Sequence, residues 1–325
     1  HSKKNKIKSN PFRTIFIILK IIFKIKKIKN SVILTNGIYT FFIGSLVSFF
    51  IPEIKHFRLI GGDLHRNEGF FHYNKILRFL LPLYSYTDGI FTWNKNKEFY
   101  EKLNINYNLI IQEYNPLAAV NYNLFRKSSD ISAKKLKEKL GIPFDYTVIS
   151  WVGRIDADKE ILESLELCSF LKSNYPEFKF KFLVIGDGTL RNIFNNKVSD
   201  YNLDDNYIRI DPVPQEVLFT YYSIIDFEVL LDIDPQGGSH IREAMSCERA
   251  VISVDGNSGV QRDLIQNNKT GFLVSPDNRI SEAAEIIIKN YSDKEFLKEI
   301  GSNAREFIKQ HSFANLSKII LEKLL

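Results

Sequence analysis

Two kinds of periodicity alternate through the second half of the chain. From Val148 onward, short apolar runs are separated by helical repeats. The order is VISWVG, a helix over about 158–174, FKFLVIG, a helix from about Thr189, YIRID, a helix over 216–222, DFEVLLD, a helix after Ser239, AVISVD, and a helix over 259–266. Apolar runs of strand length bounded by Gly, Asp and Pro read as buried strands, and the longer 3.6-residue repeats read as helices. Strands separated by single helices imply right-handed parallel crossovers, hence a doubly wound sheet. Ligands of such sheets lie at the carboxyl ends of the strands.

Upstream, SVILTN, HFRLIGG, DGIFTW and NLIIQEY are four further strand candidates with helical stretches between them, which predicts a second α/β domain. Residues 115–145 join the halves. Within them KSSDISAKKLKEKLGIP reads as a charged surface helix stopped by Gly141 and Pro143. Residues 280–325 are helical almost throughout. The expected division is one Rossmann-like domain over 1–130, a second Rossmann-like domain over 131–310, and a C-terminal helix over 311–325 packing back on the first domain.

The beginning of the chain has a different pattern. Residues 12–28 are almost wholly Ile, Leu and Phe, with Arg13, Lys20, Lys24 and Lys27 on one stripe at helical spacing. Such a helix suits an anionic membrane surface, its lysines at the headgroups; the alternative is a core helix with a solvated stripe. FFIGSLVSFFI, residues 41–51, falls short of the ~20 residues that span a bilayer. Neither a transmembrane segment nor a signal peptide is predicted.

Composition narrows the function. With 325 residues, 44% of them apolar, the chain can bury two ordinary cores. The net charge of +6 is local: residues 1–30 hold ten Lys or Arg and no acid, which leaves 34 basic against 38 acidic residues after them. No nucleic-acid partner is expected, because the positive charge is not on the folded domains and no nucleic-acid-binding motif is present. The only cysteines, Cys168 and Cys247, lie far apart on helical segments, so neither a disulfide framework nor a zinc site is suggested. A cytoplasmic setting fits best, with possible peripheral attachment to the inner face of the cell membrane.

The chemistry concentrates in DPQGGSHIREAM, residues 234–245. Gly237, Gly238 and Ser239 run directly into a helix. Exposed amides at a helix start favour an anion, and glycines let a phosphate approach the backbone. His240 could donate a hydrogen bond to a phosphate or sugar, and Glu243, one turn in, could accept two from a ribose diol. Strand VISWVG ends in Gly153 and Arg154, with Lys159 at the next helix start, and both cations could reach a diphosphate in the same crevice. Upstream, Asp63 and His65 follow HFRLI at a strand's carboxyl end. No metal-ligand spacing is present.

These runs carry a resemblance. GRIDADKE, FLVIGDGTLR, YYSIIDFEVLLD, GGSHIREAMS and AVISVDGNSGVQRDLIQNNKTGFLVSPDN are similar, in order and spacing, to the nucleotide-binding half of retaining glycosyltransferases of family 4. YTDGIFTWNKNKEFYEKL and LIIQEYNPLAAVNYNLF are similar to the end of their acceptor half. The resemblance implies the α/β GT-B architecture, two Rossmann-like domains facing a cleft, with the N-terminal one incomplete. It implies a sugar moved with retention from a nucleotide-diphosphate sugar to a hydroxyl of a glycan or lipid-linked acceptor, in surface polysaccharide or glycolipid synthesis, without cofactor or metal. Residue by residue, Arg154 and Lys159 match the family's diphosphate-holding pair. Gly237, Gly238 and Ser239 match the loop whose amides meet the donor, and Glu243 matches the second of two glutamates, the one that binds ribose. A histidine near the position of His65 often touches the donor sugar or acceptor. Asp263 stands where the family usually has glutamate.

There are also departures. Pro235 occupies the place of the first glutamate, with Asp234 beside it as a substitute carboxylate, and Asp211 and Pro212 replace a usual glycine. The chain opens at a helix that strand-helix units normally precede, so residues 1–325 alone are expected to transfer weakly or not at all. Two rival readings remain: a non-catalytic nucleotide-sugar-binding partner, motivated by Pro235, and a nucleotide-sugar epimerase, for which no acid-base pair is evident.

Overall fold

A computed structural model describes residues 32–36, 38–60, 87–92, 101, 106, 108, 110–111, 119–156, 161–233, 238–256 and 260–324. The amphipathic stretch at 12–28 lies outside these residues. The chain divides into two compact units, 1–117 with 318–325, and 118–317.

In the first unit, β1 (Val32–Asn36), β2 (Lys55–Ile60), β3 (Gly89–Thr92) and β4 (Ile110–Ile111) form a parallel sheet in sequential order. The apolar segment at 41–51, except its last residue Ile51, falls within α1 (Ile38–Phe50), which crosses from β1 to β2. Val47, Ile51 and Ile54 form a small core with Ile33 packed against it. One polar network is built into this unit. His56 is fully buried in β2; its Nε2 lies 2.9 Å from Thr35 Oγ1 and its backbone N–H donates to Asp88 at 2.6 Å. The network needs Gly44 on α1, since a Cβ there would stand 2.3 Å from His56 Nε2. Gly44→Ala should destabilise this unit by about 1–3 kcal/mol, the usual cost of overpacking a closed site, read as a lower midpoint in urea.

The second unit holds β5 (Thr147–Val152), β6 (Phe180–Ile185), β7 (Tyr207–Ile210), β8 (Phe227–Leu230), β9 (Ala250–Val254) and β10 (Phe272–Val274). All pair in parallel, in the order β10-β9-β8-β5-β6-β7. Counted from the first strand of the unit this is 3-2-1-4-5-6, the dinucleotide-fold order, whose direction reverses between β5 and β8. The periodicity of the sequence explains the burial. On β5, Ile149 and Trp151 join one apolar cluster while Val148 and Val152 join the other. A parallel sheet covered on both faces needs such continuous apolar runs, because successive side chains face opposite layers.

The covering helices are α3 (Ile161–Asn174), α4 (Arg191–Asp200), α5 (Gln215–Tyr222), α6 (Ser239–Ser246), α7 (Val260–Leu264), α8 (Arg279–Asn290) and α9 (Lys294–Ile308). The charged linker helix, α2 (Asp130–Lys139), has no buried residue; Ser129 caps its start by accepting from the Ser132 N–H. The helical C-terminus breaks into α8, α9, a short 3-10 turn (Lys309–His311) and α10 (Phe313–Leu324). Asp293 caps α9 through the Phe296 N–H. An isolated parallel bridge from Val120 to Ser312 ties the entry of the unit to its exit.

Candidate functional site

The carboxyl ends of β5 and β8 flank the point where the strand order reverses, and the loops leaving them carry most of the candidate residues. Gly153 and Arg154 follow β5. The Gly153 N–H donates to Ile185 O at 3.0 Å, which keeps the loop joined to β6 past the last strand residue. Arg154 is largely exposed and ion-pairs with Asp156. Asp156 in turn accepts from the Thr189 N–H and hydroxyl, each at 2.7 Å, and these bonds above all hold its carboxyl below the usual range. Ile155 completes the tie, donating to Asp187 O at 3.1 Å and accepting from the Leu190 N–H at 2.9 Å. Arg209 extends the edge across β7, pairing with Asp211 at 2.5 Å and lying 3.7 Å from Asp187. The Arg154 loop is therefore anchored, although its guanidinium reaches solvent.

Across the reversal point, Gly238 is the N-cap of α6, with φ 54° and ψ 45°. This left-handed conformation is open to glycine at little cost, and it lets the chain turn directly into the helix. Every α6 residue after Ser239 is buried. Its far end is clamped: Ser246 Oγ donates to Phe125 O at 2.6 Å, and Arg305 on α9 donates to the same carbonyl at 2.9 Å. The first turn thus presents backbone amides from a fixed helix.

Glu243 is 8% exposed and accepts from the Tyr222 hydroxyl at 3.0 Å. Burial raises its carboxyl above the ordinary glutamate range, opposed by that hydrogen bond. Burial also pushes the Tyr222 phenol well up, so Tyr222 remains a donor at neutral pH. His240 lies one turn before Glu243 on the same helix. Its Nδ1 is 2.6 Å from Glu228 Oε1, its carbonyl is 3.4 Å from the Tyr222 hydroxyl, and its ring centroid is 6.0 Å from that of Trp151. Glu228, fully buried in β8, also accepts from the Val152 N–H at 3.1 Å and from the Ser150 hydroxyl.

The structure therefore places Gly153, Arg154, Gly238, Ser239, His240 and Glu243 at strand ends or on the helix start of one sheet edge. Lys159, Asp234 and Gly237 lie outside the described residues, as do Pro235, Asp63 and His65. Glu228, Ser150 and Tyr222 are additions that the sequence reading lacks. Their signal is a glutamate inside the otherwise apolar run DFEVLLD, a polar residue at a strand position that must be buried. Among the described residues, no group of His, Cys, Asp and Glu is arranged to hold a metal ion. Among those residues, too, no helix is long and apolar enough to cross a membrane.

A reversed-order parallel sheet with a glycine-led helix at its carboxyl edge, accompanied by a second parallel α/β unit, defines the GT-B class of fold. HepE from Anabaena, solved in complex with UDP, superposes with a TM-score of 0.79 at 17% identity, over 95% of this chain and 81% of that one. A glycosyltransferase from Rickettsia africae superposes with a TM-score of 0.74 at 20% identity, over 100% of this chain and 84% of that one. Residues 132–307 match the family described as glycosyl transferases group 1, and the chain belongs to that family. A D-inositol 3-phosphate glycosyltransferase of Thermobispora bispora is 25% identical over 163 residues, covering 48% of this chain and 37% of that protein. The chain spans less than half the length of the curated relatives it matches.

Proposed function

We propose that this chain is a retaining glycosyltransferase of family 4, which moves a sugar from a nucleotide-diphosphate donor to a hydroxyl of a glycan or lipid-linked acceptor. The observation that carries the reading is the placement, on either side of the reversal point of a 3-2-1-4-5-6 sheet, of the Gly238-led start of α6 and the anchored Arg154 loop. A diphosphate suits that edge because amides and a guanidinium are both fixed donors for phosphate oxygens. As the sugar–phosphate bond breaks, negative charge grows on the departing oxygen, and donors already in place stabilise it without reorganising. Glu243, held through Tyr222, would accept from the two ribose hydroxyls. Lys159, Gly237, Asp234, Asp63 and His65 join this assignment on their sequence positions alone, Lys159 and Gly237 at the diphosphate, Asp234, Asp63 and His65 near the transferred sugar or acceptor.

In this mechanism the departing phosphate takes the acceptor hydroxyl's proton on the face that it leaves, so no resident cofactor or metal is required. The basic apolar sequence at 12–28 supports an acceptor presented at the inner face of the cell membrane, as in surface polysaccharide or glycolipid synthesis. Pro235, in place of a family glutamate, favours one other reading, a partner that binds nucleotide sugar without transferring it. Incubation with UDP-glucose and GDP-mannose, with the anomer of any released sugar followed by proton NMR, separates them. Release with the donor's anomeric configuration supports the transferase. Binding without release favours the second reading, and inverted product refutes retention.

Arg154 supplies a further check. Its pair with Asp156 is a surface pair, worth little to folding. Arg154→Ala should leave the thermal midpoint nearly unchanged while raising the calorimetric Kd for UDP about tenfold, the effect of one charge-assisted hydrogen bond.

A further inference from the structure

The family assignment leaves unexplained why a carboxylate sits in the middle of β8, fully buried, where the neighbouring side chains Val229, Leu230 and Leu231 are apolar. Its surroundings are specific. Oε1 accepts from the Val152 N–H, Oε2 accepts from the Ser150 hydroxyl, and Oε1 also meets His240 Nδ1 at 2.6 Å. A carboxylate that already takes two donors makes His240 Nδ1 the third, so Nδ1 carries a ring proton. Where that is the ring's single proton, Nε2 keeps its lone pair. Among the described residues Nε2 has no hydrogen-bond partner, and the side chain keeps about a tenth of its surface in solvent. The ring belongs to the first turn of α6, one turn before Glu243.

We infer that Glu228 is a positioning residue, which locks His240 in the Nδ1–H tautomer so that Nε2 accepts a hydrogen bond from a hydroxyl of the donor's sugar. The assignment rests on the donor-site reading above. A diphosphate ionised at its oxygens has no proton to give Nε2, whereas a sugar ring adjoining it offers several hydroxyls. Second-layer carboxylates fix imidazole orientation and tautomer in this way at metal and catalytic sites. A site built to accept from a hydroxyl discriminates against ligands that lack one, because its acceptor is otherwise left unpaired.

The test uses the full chain. Long-range proton–nitrogen NMR on histidine-labelled protein, assigned with H240N, reports which ring nitrogen is protonated. Wild type should show Nε2 unprotonated; a protonated Nε2 with bare Nδ1 overturns the inference without any mutant at the glutamate. E228M keeps the length of the side chain and removes its oxygens, which leaves the Val152 N–H, the Ser150 hydroxyl and His240 Nδ1 without their acceptor and lowers stability, so binding is read below the thermal midpoint of the variant. It should mix the tautomers and raise the calorimetric Kd for UDP-glucose about tenfold, the effect of one hydrogen bond, while UDP stays within about threefold. E228Q retains an oxygen for Nδ1–H and should recover most of that loss. If E228M binds UDP-glucose as wild type does, or weakens UDP equally, Glu228 has no part in meeting the sugar. If wild type binds neither these nor GDP and GDP-mannose, the donor-site reading fails, and the tautomer spectra still decide what Glu228 does to His240.

Discussion

Glu243→Ala is expected to weaken UDP binding about 100-fold. A carboxylate accepting from both ribose hydroxyls makes two charge-assisted bonds, together worth about 3 kcal/mol. The substitution also removes the nearer acceptor of the Tyr222 hydroxyl, Glu243 Oε2 at 3.0 Å, and leaves it only the His240 carbonyl at 3.4 Å, a loss of about 1 kcal/mol of stability. Glu243→Gln separates the two effects. Its amide oxygen can keep Tyr222 satisfied, so the fold should be retained while UDP affinity still drops about tenfold, the loss of one acceptor. The pH dependence has a definite sign. Burial raises the Glu243 carboxyl, so acidification protonates it at a higher pH than it would an exposed glutamate. Ribose binding needs the ionised form. The Kd for UDP should therefore rise as pH falls through that range, and Glu243→Gln should flatten the dependence. A wild-type Kd that stays constant down to the ordinary glutamate range would remove Glu243 from the ribose site.

Gly186→Ala is expected to disrupt the second unit and the Arg154 loop together. Gly186 follows β6 with φ 148°, and a Cβ on it would stand 1.8 Å from the carbonyl oxygen of Gly153. The obstacle is backbone, so no side-chain rotation relieves it. The φ adds strain of its own, and the two together should cost about 3 kcal/mol or more. For a unit of this size that lowers the thermal midpoint by roughly 6–12 °C. Any variant that does fold must displace the Gly153 carbonyl, and with it the bond from the Gly153 N–H to Ile185 O. UDP affinity should then fall even in the cold, where the variant is folded. An alanine variant with wild-type midpoint and affinity would show that these two strand ends do not approach as closely as described.

The sequence made the second unit legible because its strands are buried on both faces. VISWVG, FKFLVIG and AVISVD stand out as apolar runs, and each became a strand within a residue or two of the expected bounds. The Gly238–Ser239 helix start was legible for a local reason as well, since left-handed Gly238 and the helix after it are adjacent in the chain. What remained hidden is non-local. Nothing in the order of the runs states that β8 lies beside β5, yet that neighbour relation puts Glu228 under Val152 and Ser150, more than seventy residues away. Asp156 and Thr189 likewise meet across 33 residues. His240 reads as a donor to a phosphate or sugar; its Nδ1 is engaged by Glu228, a residue that periodicity alone would have made apolar. The short strand β10 was missed because three residues, FLV, carry too little pattern to be distinguished from a turn.

The central claim is that the carboxyl edge of the second unit, from the Arg154 loop to the first turn of α6, holds the nucleoside diphosphate. Hydrogen–deuterium exchange of the full chain, with and without saturating UDP or GDP, tests it most directly. The account predicts slowed exchange at the amides of residues 153–156 and 238–241, with the amino-terminal ends of β8 and β9 unchanged. Protection that falls instead around Asp226, Arg249 and Lys294, at the opposite end of the sheet, or protection nowhere with either nucleotide, would contradict it.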